Sequence, residues 1–363
     1  MSFRLKEYVR PDFNEKRFME APDAKLVDAP KDGIAPDDFH ALSIFPEYFK
    51  IKGQWLLAEN SRMDTLAVYR EGKIHAVEAR NVKKGDPVVV GRSENLEQGI
   101  YLYKDGFNKE ERNSDAFSFR TGRSRETSFS HEYEQICELL RHEKQNGNVV
   151  WVLGPAFAFD NDARRAFESL VDNGYVNALL AGNALATHDL EAAYLGTALG
   201  QDLDTGINAY NGHYNHLEVL NKIRSYGSIE RFIEAEKIDN GIMYALTINN
   251  IPYVLAGSIR DDGPMPEIVG NVYEAQDRMR SYVSKATTVI CMATALHTIA
   301  TGNMTPTYRV LDDGTIREVY FYVVDISEFI ANKLADRGSL ASRSIITNVQ
   351  DFIVKVAKGL DIY

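Results

Sequence analysis

The stretch "NVVWVLGPAFAFDNDARRAFESLVDNGYVNALLAGNALATHDLEAAYLGTAL", residues 148–199, decides the fold. It opens on an apolar run that ends in Gly154-Pro155. "DNDARRAFESLVDNG" then has helical spacing, "YVNALLAGNA" is a second apolar run ending in Gly182-Asn183, and "THDLEAAYLGTAL" is helical again. Strands with no polar alternation have no solvated side, so their alternation with helices implies a parallel sheet covered on both faces. "IPYVLAGSIRDDGP", "ATTVICMATALHTIATGN" and "EVYFYVVDIS" read as further strands ending in Gly, Thr or Asp. Helical patterns lie between and after them in "EIVGNVYEAQDRMRSYVSK" and "SIITNVQDFIVKVAKGL". In such sheets ligands sit beyond the carboxyl ends of the strands.

Upstream, "SHEYEQICELLRHEKQNG" (130–147) is a helix with a Ser cap, an acidic first turn, a basic last turn and a closing Gly. From about 41 to 120 the patterns are short and strand-like ("YFKIKGQWLLAEN", "DTLAVYREG", "IHAVEARNV", "DPVVVGR"), separated by Gly and Asp turns. They predict a small antiparallel β domain. The polar, proline-punctuated residues 1–38 predict an extended lead-in. The polar stretch "RTGRSRETSFS" (120–130) is the expected boundary.

A chain of 363 residues has room for two domains and a large sheet. Its net charge of −11 speaks against nucleic acid or an anionic membrane as main partner. No apolar stretch of 18 residues exists, and "MSFRLKEYVRPDFNEKR" has no apolar signal core, so a cytoplasmic protein is expected. Cys137 and Cys291 lie in apolar patterns and are expected to be reduced packing residues.

The polar clusters fall at the strand ends. "LGPA" (153–156) and "AGNALATHD" (181–189) put small residues where a strand becomes a helix. Such a turn lets backbone N–H groups approach a phosphate, and it also serves as a plain tight turn. Neither has the Gly-x-Gly-x-x-Gly spacing of the ordinary dinucleotide fingerprint. Asp325 can take ribose hydroxyls or cap a helix. "ATALHTIATGNM" (293–304) offers Thr294, His297 and Asn303 around a strand end, with His297 functional or merely packed. His188-Asp189 sets a His beside a carboxylate, as general acid–base work requires and as a solvated helix start also produces. His213 and His216 are three residues apart, but no Cys or suggestive carboxylate spacing joins them, and no metal is expected. "RTGRSRE" (120–126) is either an anion grip or an exposed linker. In "AGSIRDDGPMPEI" (256–268), Arg260, Asp261 and Asp262 ride on a loop that two prolines keep from becoming helix.

From Phe39 onward the chain resembles the family of the lysine-oxoglutarate reductase/saccharopine dehydrogenase conserved region. That family includes the archaeal-type ornithine cyclodeaminase and the C-terminal part of the cyanobacterial arginine-to-proline bifunctional enzyme. The match is carried by "GQWLLAENSRMDTLAVY", "VKKGDPVVVG", "GYVNALLAGNALATHDLE", "GHYNHLEVLNKIRSYGSI", "GIMYALTINNIPYVLAGSIRDDGPMPEI", "AQDRMR", "LHTIATGNMTP" and "KLADRGS".

The resemblance implies a small β domain over 39–125 and an α/β NAD-binding catalytic domain over 126–363. Its parallel sheet is expected to be similar to that of deoxyhypusine synthase and to depart from the usual Rossmann order. It implies a tightly held NAD that is reused, and a homo-oligomer, dimer or tetramer. In the ornithine reaction hydride leaves Cα, the side-chain amine attacks the imine, ammonia departs, and the hydride returns to give proline. Expected cofactor contacts are Gly154, Pro155, Gly182, Asn183, Ala184, Gly257, Ser258, Thr294, Ala295, His297, Asn303, Asp325, Ile326, Asp336, Arg337, Gly338 and Ser339. Expected substrate contacts are Asn215, Arg125 and Glu126, with His188 and Asp189 catalytic. From the residue chemistry, Arg260 suits the substrate carboxylate and Asp261 and Asp262 its ammonium groups. The alternative is a related opine- or saccharopine-type NAD dehydrogenase on another amino acid. Phe159, Asp160 and Asn161 stand where the family is expected to read His-Thr-Gly, and residues 1–38 are few for the lobe expected there.

Overall fold

The computed structural model describes residues 4–107, 130–259, 261, 263–327 and 341–363. Its first lobe is a sheet of β1 (Lys25–Asp28), β2 (Glu47–Ile51), β3 (Gln54–Glu59), β4 (Leu66–Arg70), β5 (Lys73–Val77), β6 (Pro87–Val90) and β7 (Ile100–Leu102). The order is β1-β6-β4-β5-β3-β2-β7, antiparallel except for the β3–β5 pair. The β2–β3 and β4–β5 hairpins turn on Lys52-Gly53 and Glu71-Gly72, all with φ between +51 and +81. Two left-handed central residues match the twist of the strands they join, which fixes the register. Phe49, Ala58, Ala67, Ile74, Val89 and Ile100 form the buried face.

Residues 1–38 do more than lead in. Lys25–Asp28 pairs with β6 as an edge strand, and Phe18 of helix α1 (Lys16–Met19) is fully buried. The Lys50 ammonium donates to the carbonyls of Phe18, Met19 and Ala21 at 3.2, 2.9 and 2.7 Å. A polar composition hid this because the segment needs only a few apolar anchors when an existing sheet supplies the rest.

The second lobe begins with α2 (Ser130–Asn146) and β8 (Val149–Leu153). Then come α3 (Asn161–Asp172), β9 (Ala178–Gly182), α4 (Asn183–Leu195) and the short hairpin β10 (Thr197–Ala198)–β11 (Gln201–Asp202). Three helices follow, α5 (Asn215–Tyr226), α6 (Ile229–Glu236) and α7 (Ile242–Ile248). After them run β12 (Tyr253–Ala256), α8 (Val272–Val283), β13 (Thr288–Met292) and α9 (Ala295–Met304). The hairpin β14 (Tyr308–Val310)–β15 (Ile316–Glu318), β16 (Tyr320–Asp325), β17 (Ala341–Ile346) and α10 (Val349–Gly359) complete it.

Six strands form one wholly parallel sheet in the order β12-β9-β8-β13-β16-β17. Their side chains alternate between two apolar layers. Val149, Trp151, Leu153, Ile290 and Met292 face the cluster holding α2 to α7 and α10. Val150, Val152, Val289 and Cys291 face α8 and the end of α9. Neither face is solvated, which is why these strands read as unbroken apolar runs.

Two expectations are corrected here. Counted along the lobe, the strand order is 3-2-1-4-5-6, the ordinary doubly wound Rossmann order, and not a departure from it. "ASRSII", whose end was taken into a helix, is the edge strand β17. An edge strand is only half covered, so its polar residues mask the strand pattern.

Candidate active site at the carboxyl edge of the parallel sheet

The chain winds one way from β8 to β9 and β12, and the other way from β13 to β16 and β17, so a crevice opens between the ends of β8 and β13. Gly154 and Ala293 meet there. The Gly154 N–H donates to the Met292 carbonyl at 2.8 Å, and a Cβ on Gly154 would stand 1.8 Å from the Ala293 oxygen. Ala293 itself is left-handed, with φ +55, a strained state for alanine that functional loops retain.

The helix starts around this crevice differ in one respect. α3, α8 and α10 are capped by the side chains of Asp160, Asn271 and Asn348. α4 starts at Gly182 and α9 at Thr294, and neither has a side-chain cap. Their first N–H groups, with the helix dipole behind them, suit phosphate oxygens. His297, one turn into α9, reaches over the end of β9, where a Cβ on Gly182 would be 2.9 Å from its Cε1. Burial pulls the His297 imidazole below its ordinary value, against the opposing charge of Asp261, so the ring is neutral near pH 7. At the end of β16, Asp325 accepts from the Ser327 N–H at 2.9 Å, and Ile326 and Leu296 are exposed beside the crevice.

The loop after β12 is tied down on three sides. The Gly257 N–H donates to Val269 and the Val269 N–H to Leu255, both at 2.9 Å. The Met265 N–H donates to the Asn183 side chain at 3.3 Å. Asp261 accepts from the Ser258 N–H at 2.7 Å and returns a bond from its own N–H to the Ser258 carbonyl at 3.1 Å. Gly263, at φ +120, lies against the guanidinium of Arg224, whose Nε donates to the Pro264 carbonyl at 3.2 Å. Asp261 thus braces the loop while its charge reaches His297. Arg224 was not singled out in the sequence; its place on α5, two turns after His216, was the signal available.

His188 and Asp189 do not work as the pair their adjacency suggested. On a helix neighbours point about 100° apart, whereas i and i+3 share a face. Asp189, fully buried, accepts from Arg164 Nε at 2.8 Å and from the first N–H groups of α7, Ile242 and Met243, at 3.0 and 2.8 Å. It joins three helices, and no part of it is left for His188. The carboxylate beside His188 is Glu191. Its Oε2 lies 3.9 Å from His188 Nδ1 and 3.7 Å from His216 Nδ1. Burial alone would raise the Glu191 carboxyl. The imidazoles of His188 and His216, the Gly200 N–H and the Thr197 hydroxyl outweigh it and hold Glu191 down at about 2. Asn215 joins the cluster, donating at 2.8 Å to the Thr197 hydroxyl that donates at 2.8 Å to Glu191.

The Phe159-Asp160-Asn161 departure divides by residue. Asp160 caps α3 through the Ala163 N–H at 2.7 Å, and Asn161 bridges Arg164 and Asp204 at 3.0 and 2.7 Å. Phe159 alone faces the cluster, its ring centroid 5.1 Å from that of His188. Asn303 is not at the strand end: "ALHTIATGNM" is helical, and Asn303 is exposed in its last turn, roughly 12 Å along α9 from Ala295. His213 is exposed against Tyr214. Arg125, Glu126, Arg260, Asp262, Asp336, Arg337, Gly338 and Ser339 lie outside the described residues.

A doubly wound sheet with a glycine-locked switch point and two open helix starts defines a Rossmann-type domain whose ligand site is this crevice. The chain belongs to the arginine dihydrolase ArgZ-like C-terminal family: its Rossmann-fold region matches residues 134–356, and its first region matches residues 46–129. The ornithine cyclodeaminase of Methanocaldococcus jannaschii is 38% identical over 94% of this chain and 79% of its own length. A conserved LOR/SDH protein of Methanococcus maripaludis S2 superposes with a TM-score of 0.84 at 34% identity, covering 94% of this chain and 98% of that one. The ternary complex of AgrE with ornithine and NAD+ superposes at 0.59 with 35% identity, over 94% of this chain and 46% of that one. AgrE of Nostoc sp. is a bifunctional arginine dihydrolase/ornithine cyclodeaminase, and the present chain spans about half its length (47%).

Proposed function

We propose that this chain is an NAD-dependent ornithine cyclodeaminase, an ammonia-lyase that converts L-ornithine to L-proline and ammonia and so serves proline biosynthesis. The observation that carries the reading is 38% identity to an ornithine cyclodeaminase over 94% of the chain, with the switch-point crevice intact. The crevice fits the cofactor: Gly154 leaves no room for a side chain, and the N–H groups at the starts of α4 and α9 are free of side-chain caps. Gly154, Gly182, Asn183, Thr294 and Ala295 would hold its phosphates and Asp325 a ribose. Bound NAD supplies a hydride acceptor that gives back what it takes.

The chain's own residues bind, orient and move protons. His188 takes the proton of the substrate α-ammonium, which frees the nitrogen lone pair for hydride departure, and returns it to the leaving ammonia. Arg260 holds the α-carboxylate in a two-pronged grip, and Asp262 the side-chain ammonium. Asp261 keeps the loop in shape. Phe159 against His188 keeps water from the proton-transfer site. Asp325 disfavours a 2′-phosphate, so NAD binds more tightly than NADP, and calorimetry with the two nucleotides checks this.

The same reading includes a cytoplasmic location and self-association into a dimer or tetramer. No helix among the described residues is long and apolar enough to cross a membrane. Light scattering at micromolar concentration reads the mass, and a monomer counts against self-association. The test of function is direct: denatured extracts should release NAD, and ornithine should yield equimolar proline and ammonia with no lasting absorbance at 340 nm. Stoichiometric NADH from ornithine or another amino acid would mark an opine- or saccharopine-type dehydrogenase instead.

A further inference from the structure

Resting on the ornithine reading, we infer that Glu191 and His216 are positioning residues that set the proton-bearing nitrogen of His188. Three observations meet at one place. Glu191 is fully buried and pinned: the Thr197 hydroxyl and the Gly200 N–H donate to Oε1, both at 2.8 Å, and the Leu199 N–H donates to Oε2 at 3.1 Å. Nδ1 of His188 and Nδ1 of His216 are both buried without a hydrogen-bond partner. Both face that same Oε2, at 3.9 and 3.7 Å. His188 is 6% exposed, and the two rings stack obliquely with centroids 5.3 Å apart.

A hydrogen bond needs about 2.7–3.2 Å, so each gap exceeds one by well under the length of a bond. A small rotation of either ring closes it. The rings must do the moving, because three donors fix the carboxylate. Other carboxylates nearby are committed elsewhere. Asp189 is spent on Arg164, Asp202 on the Thr205 turn and Asp204 on Asn161, while Glu218 is exposed. An ionised Glu191 therefore selects the tautomer with hydrogen on Nδ1 in both rings. Nε2 of His188 is then the basic nitrogen. It takes the proton from the substrate ammonium as the N–H bond breaks, and the resulting imidazolium is paired by Glu191 and flanked by His216. When ammonia leaves, the same proton returns to it, so charge and protons balance over the turnover. Apo sites of this kind are often loose and tighten on substrate binding.

The experiment has an arm that does not depend on turnover. Ring-labelled histidine in the purified full chain should give 15N signals of the Nδ1–H tautomer for His188 and His216, assigned from His188→Gln and His216→Gln. Glu191→Gln should abolish that preference. Kinetically, Glu191→Gln should lower kcat about 100-fold with KM changed less than about threefold, and should shift the acid limb of the kcat–pH profile. His216→Gln, at a half-exposed position that tolerates change, should lower kcat about tenfold and shift the same limb. Nε2–H tautomers in the unmodified chain overturn the inference. So do wild-type pH limbs in both variants, or a stoichiometric divalent metal whose removal by chelator frees both Nδ1 atoms. A chain with the expected tautomers that makes no proline from ornithine refutes the functional reading and leaves the positioning inference standing.

Discussion

Two buried contacts make opposite demands on single residues. At Gly154 the backbone is ordinary, φ −92 and ψ 164, so the reason for glycine is steric alone. Gly154→Ala forces the two switch-point loops apart, and we expect a loss of about 1–3 kcal/mol with nucleotide retention falling together with the melting temperature. Gly182→Ala meets only the movable edge of His297, so it should cost little stability and weaken nucleotide binding selectively; equal losses in both variants contradict the distinction. Asp189→Asn leaves the Arg164 guanidinium buried and unpaired and should cost about 3–5 kcal/mol in urea unfolding. A stable but inactive Asp189→Asn would restore Asp189 to catalysis. Here the sequence was legible as to type and misleading as to pairing. Gly154, Gly182 and His188 stood out beside their strands, but adjacency suggested Asp189, while the helical repeat of three singled out Glu191. His216 arrives only through the packing of α5 on α4, which no local pattern encodes.

Among the elements, the loop after β12 carries the sharpest expectation. Gly263, the Asn183 contact and the Asp261–Ser258 pair set its shape without Arg260. Arg260→Lys should therefore keep the melting temperature and bound nucleotide, and lower kcat/KM by about 2–4 kcal/mol as the two-pronged grip is lost. A parallel fall in stability and nucleotide retention would make Arg260 a brace of the loop instead. Asp262→Asn should reduce turnover far more than Asp261→Asn, because an amide oxygen at 261 still accepts from the Ser258 N–H. The two prolines and the glycine made this loop readable in advance. β17 and α9 were harder: one is a half-covered strand with polar spacing, and the other begins so soon after β13 that strand and helix read as one apolar run.

For the whole molecule, composition and alternation pointed to a two-lobed α/β chain, but the order of strands depends on crossovers that leave no local trace. Its stability should also depend on pH through one buried contact. His40 Nε2 pairs with Glu47 at 2.5 Å while Nδ1 meets the Gly91 carbonyl at 3.1 Å, so both nitrogens donate and the ring is an imidazolium. Burial pulls its pKa down, but the Glu47 hydrogen bond and charge and the Gly91 carbonyl outweigh it and raise it above the ordinary 6.5. The folded value exceeds the unfolded one, so this stabilisation is complete below about 6.5 and fades as pH rises through the folded value. Urea midpoints should decline over that range in the native chain and lose that component in His40→Gln; identical slopes would count against the assignment. Function is tested most directly by an isotope. L-Ornithine carrying deuterium at Cα should give proline that keeps the deuterium at Cα, since the hydride is lent to bound NAD and returned to the same carbon. Proline with hydrogen at that carbon, or deuterium accumulating in free reduced nucleotide, would contradict it.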